Sequence, residues 1–191
     1  MNQNQLTHEQ IRNAKPDLIV NFIKNNTNCR LIEKVISILF EENNQDVINC
    51  LLDTQNLIDW KKSFCVSQIE NNIFRYGNEH YFNIMKEQQI FSTSNTYRRQ
   101  FWLEIAIRNN QNDFILNHLT DWLTNKTMFS KALQYCIIYN NSIIRDFLLT
   151  NDDLKHLLTK TAMNTSLRSI SKMNMDTFKI MSSKYIELFD N

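Results

Sequence analysis

The chain reads as an all-α protein made of repeated helix pairs, and three observations predict this. First, its 191 residues include one glycine and one proline. Sandwiches and barrels need many turn residues at positive φ, and dinucleotide or P-loop folds need a glycine-rich cradle, so these classes are excluded. Second, apolar residues recur at helical spacing along the chain, as in Val47, Ile48, Leu51 and Leu52. Third, one pattern comes back roughly every thirty residues: an apolar helix, a short polar break, then a second apolar helix.

Lined up on the break, the segments read EQIRNAKPDLIVNFIK (9–24), SILFEENNQDVINCLL (37–52) and NNIFRYGNEHYFNIMK (71–86). They continue as EIAIRNNQNDFILNHL (104–119), QYCIIYNNSIIRDFLL (134–149) and LRSISKMNMDTFKIMS (167–182). The break falls at Ala14, Asn43, Gly77, Asn110, Asn140 and Asn174 (or Met173), with steps of 29, 34, 33, 30 and about 34 residues. A helix that ends in a left-handed residue favours glycine, or else asparagine, and four of the six breaks obey this.

Pro16 stands two positions after the first break, in the opening turn of a second helix, where a missing N–H costs nothing. Asp17, Asp46 and Asp113 follow one position later, where a carboxylate complements a helix N-terminus. Tyr81, Phe82 and Met85, then Phe114, Ile115 and Leu119, then Ile144, Phe147 and Leu148, supply the core faces. The units run approximately over 6–30, 31–62, 63–98, 99–128, 129–161 and 162–191, as one domain.

The pattern resembles the ankyrin repeat, whose first helix reads Thr-Ala-Leu-His-Leu-Ala-Ala before a glycine. Phe101-Trp102-Leu103-Glu104-Ile105-Ala106-Ile107 is similar, with Asn110 on the glycine, and so is Lys131-Ala132-Leu133-Gln134-Tyr135-Cys136-Ile137, with Asn140 there. Thr165-Ser166-Leu167-Arg168 matches the opening of the same motif. The family's hairpin turn is missing. Asp53–Ser67 and Glu87–Gln100 read instead as long connections containing Leu57, Ile58, Trp60, Ile90 and Phe91. The resemblance implies a solenoid of about five to six ankyrin-like helix-pair repeats with irregular, glycine-poor connections. The pentatricopeptide repeat is the nearest competitor, on Gly77 and the Tyr81–Lys86 segment.

Chemistry-bearing motifs are sparse. His8, His80, His118 and His156 have no metal-ligand spacing, and Cys29, Cys50, Cys65 and Cys136 form no CxxC pair. The cysteines lie in or beside apolar runs and read as buried thiols. His118 and Trp102 read as core residues. Glu41-Glu42 and Asp152-Asp153 read as solvated charge at helix ends. No catalytic, cofactor-binding or metal residues are assigned, and a non-enzymatic role is expected.

The expected function is protein binding. In an ankyrin-like stack the residues just before each break face the concave side: Glu41 and Glu42, Arg75 and Tyr76, Arg108 and Asn109, Ile138 and Tyr139. Tyr76, Arg108 and Tyr139 are interface residue types, although Tyr76 and Tyr139 equally suit closing a helix end against the next unit. Trp60, Arg98, Arg99 and Trp122 are added from the connections. The partner is another protein, and the chain by itself is read as a monomer.

The alternatives are a helical-repeat nucleic-acid binder, disfavoured by a net charge of +1, and an enzyme with a loop-built site. No membrane association is expected, because no apolar run is long enough. The MNQNQ opening lacks a secretory signal, which points to the cytoplasm. The 27 asparagines, 22 isoleucines and lysine excess suggest an AT-rich genome of an intracellular bacterium, protist or large virus. Ile186–Asn191 is similar to the tails of secreted bacterial effectors, so delivery into a host cytosol is a further expectation.

Overall fold

A computed structural model of the protein describes residues 6–53, 64–89, 96–169 and 175–189. Among these residues there are helices and no strand. The helices are α1 (His8–Arg12), α2 (Pro16–Asn25), α3 (Cys29–Glu41), α4 (Gln45–Leu52), α5 (Phe64–Tyr76) and α6 (Glu79–Glu87). They continue with α7 (Thr96–Arg108), α8 (Asn112–Trp122), α9 (Lys126–Ile138) and α10 (Ser142–Thr150). A 3-10 turn at Asp152–Leu157, α11 (Lys160–Ser169) and α12 (Met175–Phe189) complete the series.

The chain forms two compact units, 1–91 and 92–191. In the first, α1 packs on α3 and α3 on α5, while α2 packs on α4. In the second, α7 packs on α9 and α9 on α11, while α8 packs on α10. Each unit is therefore a stack in which first helices lie beside first helices and second helices beside second helices.

Asparagine builds most of the corners. Asn43, Asn110 and Asn140 take φ of 51°, 55° and 55°, and Gly77 takes 59°. At three of the corners both bonds of a left-handed cap are made. Asn43 N–H donates to Phe40 O and Asn44 N–H to Leu39 O, with matching pairs at Asn110/Gln111 and Asn140/Asn141. Asn78 N–H donates to Ile73 O in the same way. The following residue then starts the second helix. The Oδ1 atoms of Asn44, Asn78 and Asn141 accept from Val47, Tyr81 and Ile144 N–H. Asn28, Asn125 and Asn151 cap other helices. A doublet such as Asn43-Asn44 thus ends one helix and begins the next with no intervening residue.

The apolar spacing lands on the core. Val47, Ile48, Leu51, Leu52, Tyr81, Phe82, Met85, Phe114, Ile115, Leu119, Ile144 and Leu148 are all buried, and Phe147 is half-buried. Edge-on ring contacts join α3 to α6 through Phe40 and Tyr81 at 5.6 Å, and α5 to α6 through Phe74 and Phe82 at 5.8 Å.

Three expectations differ from what is found. The first corner has no left-handed residue at Ala14. Pro16 holds the preceding Lys15 extended (φ −79°, ψ 152°), and that extended residue makes the turn. The proposed connections are shorter than expected, because α5 reaches back to Phe64 and α7 to Thr96, so Tyr97, Arg98 and Arg99 are helical. Gln89 is a further left-handed residue, at φ 55°, after α6. Cys29 is exposed and Cys50 half-buried, because both fall on helix positions turned from the core; only Cys136 of the described thiols is buried. Asn174, Leu57, Ile58, Trp60, Ile90 and Phe91 lie outside the described residues.

Candidate functional site

Two kinds of contact fix neighbouring helix pairs in register. Asn44 Nδ2 donates to Arg12 O at 3.1 Å and to Ala14 O at 3.5 Å, so the N-cap of one pair grips the corner of the pair before it. Asn141 repeats the device, donating to Ile107 O at 3.3 Å and to Asn112 Oδ1 at 2.8 Å. Beside the first tie, the Arg12 guanidinium makes two 2.7 Å bonds to Glu42, which hold the Glu42 carboxyl below its ordinary range. Glu42 is thereby an inter-pair link rather than loose helix-end charge.

The counterpart in the second unit is a four-residue cluster. Glu104 and Arg108 are one turn apart on α7, and Tyr135 and Tyr139 one turn apart on α9. Tyr139 Oη donates to Glu104 Oε1 at 2.7 Å, and the Arg108 guanidinium lies 5.9 Å from the Tyr139 ring centroid. Tyr135 lies beside the same carboxylate. Burial and the Glu104 charge push the Tyr135 phenol up to about 12, and the bond to Glu104 raises Tyr139. Together with the Asn141 tie, the cluster sets the C-terminal ends of α7 and α9 side by side, so these first helices run parallel.

Parallel, adjacent first helices present one continuous outer face. On α7, Trp102, Leu103, Ala106 and Ile107 point inward, which leaves Tyr97, Phe101 and Arg108 along the opposite stripe. On α9 the inward set is Met128, Phe129, Ala132, Leu133, Cys136 and Ile137, leaving Lys131, Gln134 and Ile138 outside. On α11, Ala162, Met163 and Ser166 are buried, and Thr161, Thr165 and Arg168 are exposed. Tyr97 is 83% exposed, Ile138 55% and Phe101 49%, high values for apolar side chains of this size.

The residues singled out in the sequence separate accordingly. Arg108 and Tyr139 come together on this face, and Tyr139 also closes the helix end against the preceding pair. Arg98 is half-buried, its guanidinium 5.7 Å from the Trp102 ring centroid. Arg99 is half-buried, with its Nε out of contact with solvent. Tyr76 is exposed at the end of α5 in the other unit. Trp122 is not a surface residue: it ends α8 buried, stacked on His118 at 5.4 Å and edge-on to Phe114 at 5.6 Å. Its position, four residues after His118 and eight after Phe114, places it on the core stripe. Trp60 lies outside the described residues. Ile138, placed before its break on the concave side from the sequence, lies on this face; Tyr97, inside the expected Glu87–Gln100 connection, and Phe101 join it, and the seven-residue span from Phe101 to Arg108 on one α7 stripe was the signal for Phe101.

Burial pushes the Cys136 thiol far up, away from the thiolate. Among the described residues, no three His, Cys, Asp or Glu side chains are grouped to hold a metal ion. An open groove of about 590 Å³ between α10 and α12 has charged side chains paired with neighbours, Lys184 with Glu187 at 2.9 Å and Asp146 with Arg145 at 2.7 Å. Among the described residues no helix is long and apolar enough to cross a membrane. No protein-family model, curated protein or solved structure gives a significant match to the chain.

Proposed function

We propose that this chain is a non-enzymatic protein-binding module of ankyrin-like helix-pair repeats that takes its partner on the face of α7, α9 and α11. The observation that carries this reading is the side-by-side exposure of Phe101, Arg108 and Ile138 on helices locked in register by Glu104, Tyr139 and Asn141. Exposed aromatic, arginine and branched apolar side chains on a rigid support lose little entropy on binding, which is what interface anchors require. Recurrent helix pairs stacked at about thirty residues support the repeat reading, and the mechanism is occlusion or scaffolding by a preformed surface. The asparagine- and isoleucine-rich composition supports a bacterial or viral effector that acts on host proteins.

The test is affinity capture from a eukaryotic lysate with the wild type beside the Phe101→Ala/Arg108→Ala/Ile138→Ala triple variant. All three side chains are outside the core, so the variant should keep its circular dichroism and melting temperature. Selective loss of a captured protein is expected. An identical set of captured proteins would sink the assignment to this face.

A further inference from the structure

A net charge of +1 for the whole chain conceals a separation of charge within the second unit. The first helices α7, α9 and α11 hold seven lysines and arginines against one acidic residue, Glu104. The opposite layer, α8, α10, the 3-10 turn and α12, holds seven acidic residues and four basic ones. The single acid of the basic layer is occupied, since Glu104 accepts from Tyr139 at 2.7 Å. Arg98, Arg108, Lys131 and Arg168 lie on or beside the outer stripe that carries Tyr97, Phe101 and Ile138. In the first unit the corresponding helices are balanced: α1, α3 and α5 carry four basic and four acidic residues.

We infer that the α7–α9–α11 face binds an acidic polypeptide segment bearing apolar side chains. The inference rests on the protein-binding reading above and names the chemistry of the partner. Apolar side chains of the segment pack on Phe101, Ile138 and Tyr97, and its carboxylates meet Arg108, Lys131 and Arg168 around them. Cations on a low-dielectric face attract an acidic chain at a distance and set its register, while the apolar anchors slow its departure. Helices packed about 9 Å apart make the face roughly 20 Å across, the reach of about six extended residues.

A nucleic-acid strand shares the attraction to cations but fits the rest poorly. Ile138 offers no stacking plane for a base, whereas the apolar side chains of a polypeptide pack on it as they do on Phe101.

The test uses fluorescence anisotropy with the full chain and a labelled fourteen-residue probe of Asp and Glu containing two leucines and a phenylalanine. Three further probes are the same peptide with Lys for the acids, the same peptide with Ser for the apolar residues, and a fourteen-nucleotide polyuridine. The acidic apolar peptide should bind at least tenfold more tightly than any other probe, and binding should weaken with added salt. Arg108→Glu/Lys131→Glu should lower its affinity at least tenfold and Phe101→Ala about fivefold. Lys155→Glu, on the opposite layer, should leave it unchanged. A melting temperature for each variant separates lost binding from lost folding.

Equal or tighter binding of polyuridine or the lysine peptide overturns the inference, and so does no binding of any probe or no effect of the charge reversal. If capture from lysate still depends on Phe101, Arg108 and Ile138 while the acidic peptide fails, the face stands and its acidic partner is wrong. If capture is unaffected by those residues, the face itself is wrong.

Discussion

Replacing Asn141 tests whether the helix pairs are held in register by side chains rather than by apolar packing alone. The Asn141 side chain is only 3% exposed as part of a residue that makes three bonds: it accepts from Ile144 N–H at 3.1 Å and donates to Ile107 O at 3.3 Å and Asn112 Oδ1 at 2.8 Å. Asn141→Ala removes all three. Loss of the cap costs about 1 kcal/mol. Loss of the two donor bonds costs about another 1–2 kcal/mol, because their acceptors are left partly desolvated. The total is about 2–3 kcal/mol.

Asn141→Ser separates the two contributions, since a serine hydroxyl caps the helix but is too short to grip the preceding pair. It should cost about 1–2 kcal/mol. Asn44→Ala is the comparison in the other unit, where the cap is lost as well but the donor bonds are more exposed and longer (3.1 and 3.5 Å), and about 1.5 kcal/mol is expected. Urea unfolding followed by far-UV circular dichroism gives all three values. If Asn141→Ala and Asn141→Ser lose the same stability, or both stay within about 0.5 kcal/mol of wild type, the inter-pair tie contributes nothing and the reasoning fails.

Two further outcomes are expected. At the left-handed corner, Asn140→Ala should destabilise by about 1 kcal/mol and Asn140→Gly should be neutral or slightly stabilising, measured by the same unfolding curves; the reverse order would contradict φ of 55° there. In a spectrophotometric titration of the tyrosines, Tyr135 should remain a phenol until about pH 12, and Tyr135→Phe should remove that late step. Because the folded value lies above the unfolded 10.0, the stabilisation is complete below pH 10 and is lost as pH rises from 10 toward 12. Wild type should therefore lose stability faster than Tyr135→Phe over that interval, and parallel curves would refute the assignment.

The sequence by itself determined the helical class and the corners at Asn43, Gly77, Asn110 and Asn140. Local rules govern these features: one glycine among 191 residues leaves asparagine as the residue that tolerates φ near 55°, and the asparagine after it caps the next helix. The second asparagine of each doublet was legible by the same rules, yet its side-chain reach to the preceding pair was not. That reach joins Asn141 to Ile107, 34 residues away, and depends on how the pairs stack. The candidate site divides in the same way. Arg108, Ile138 and Tyr139 could be placed near a corner from spacing alone, but only tertiary packing decided that Trp122 is buried against His118 and that Tyr97 and Phe101 are exposed. Net charge, a sum over the chain, says nothing of direction. The basic layer of α7, α9 and α11 exists because stacking puts first helices beside first helices, and so gathers on one face cations that lie about thirty residues apart in sequence.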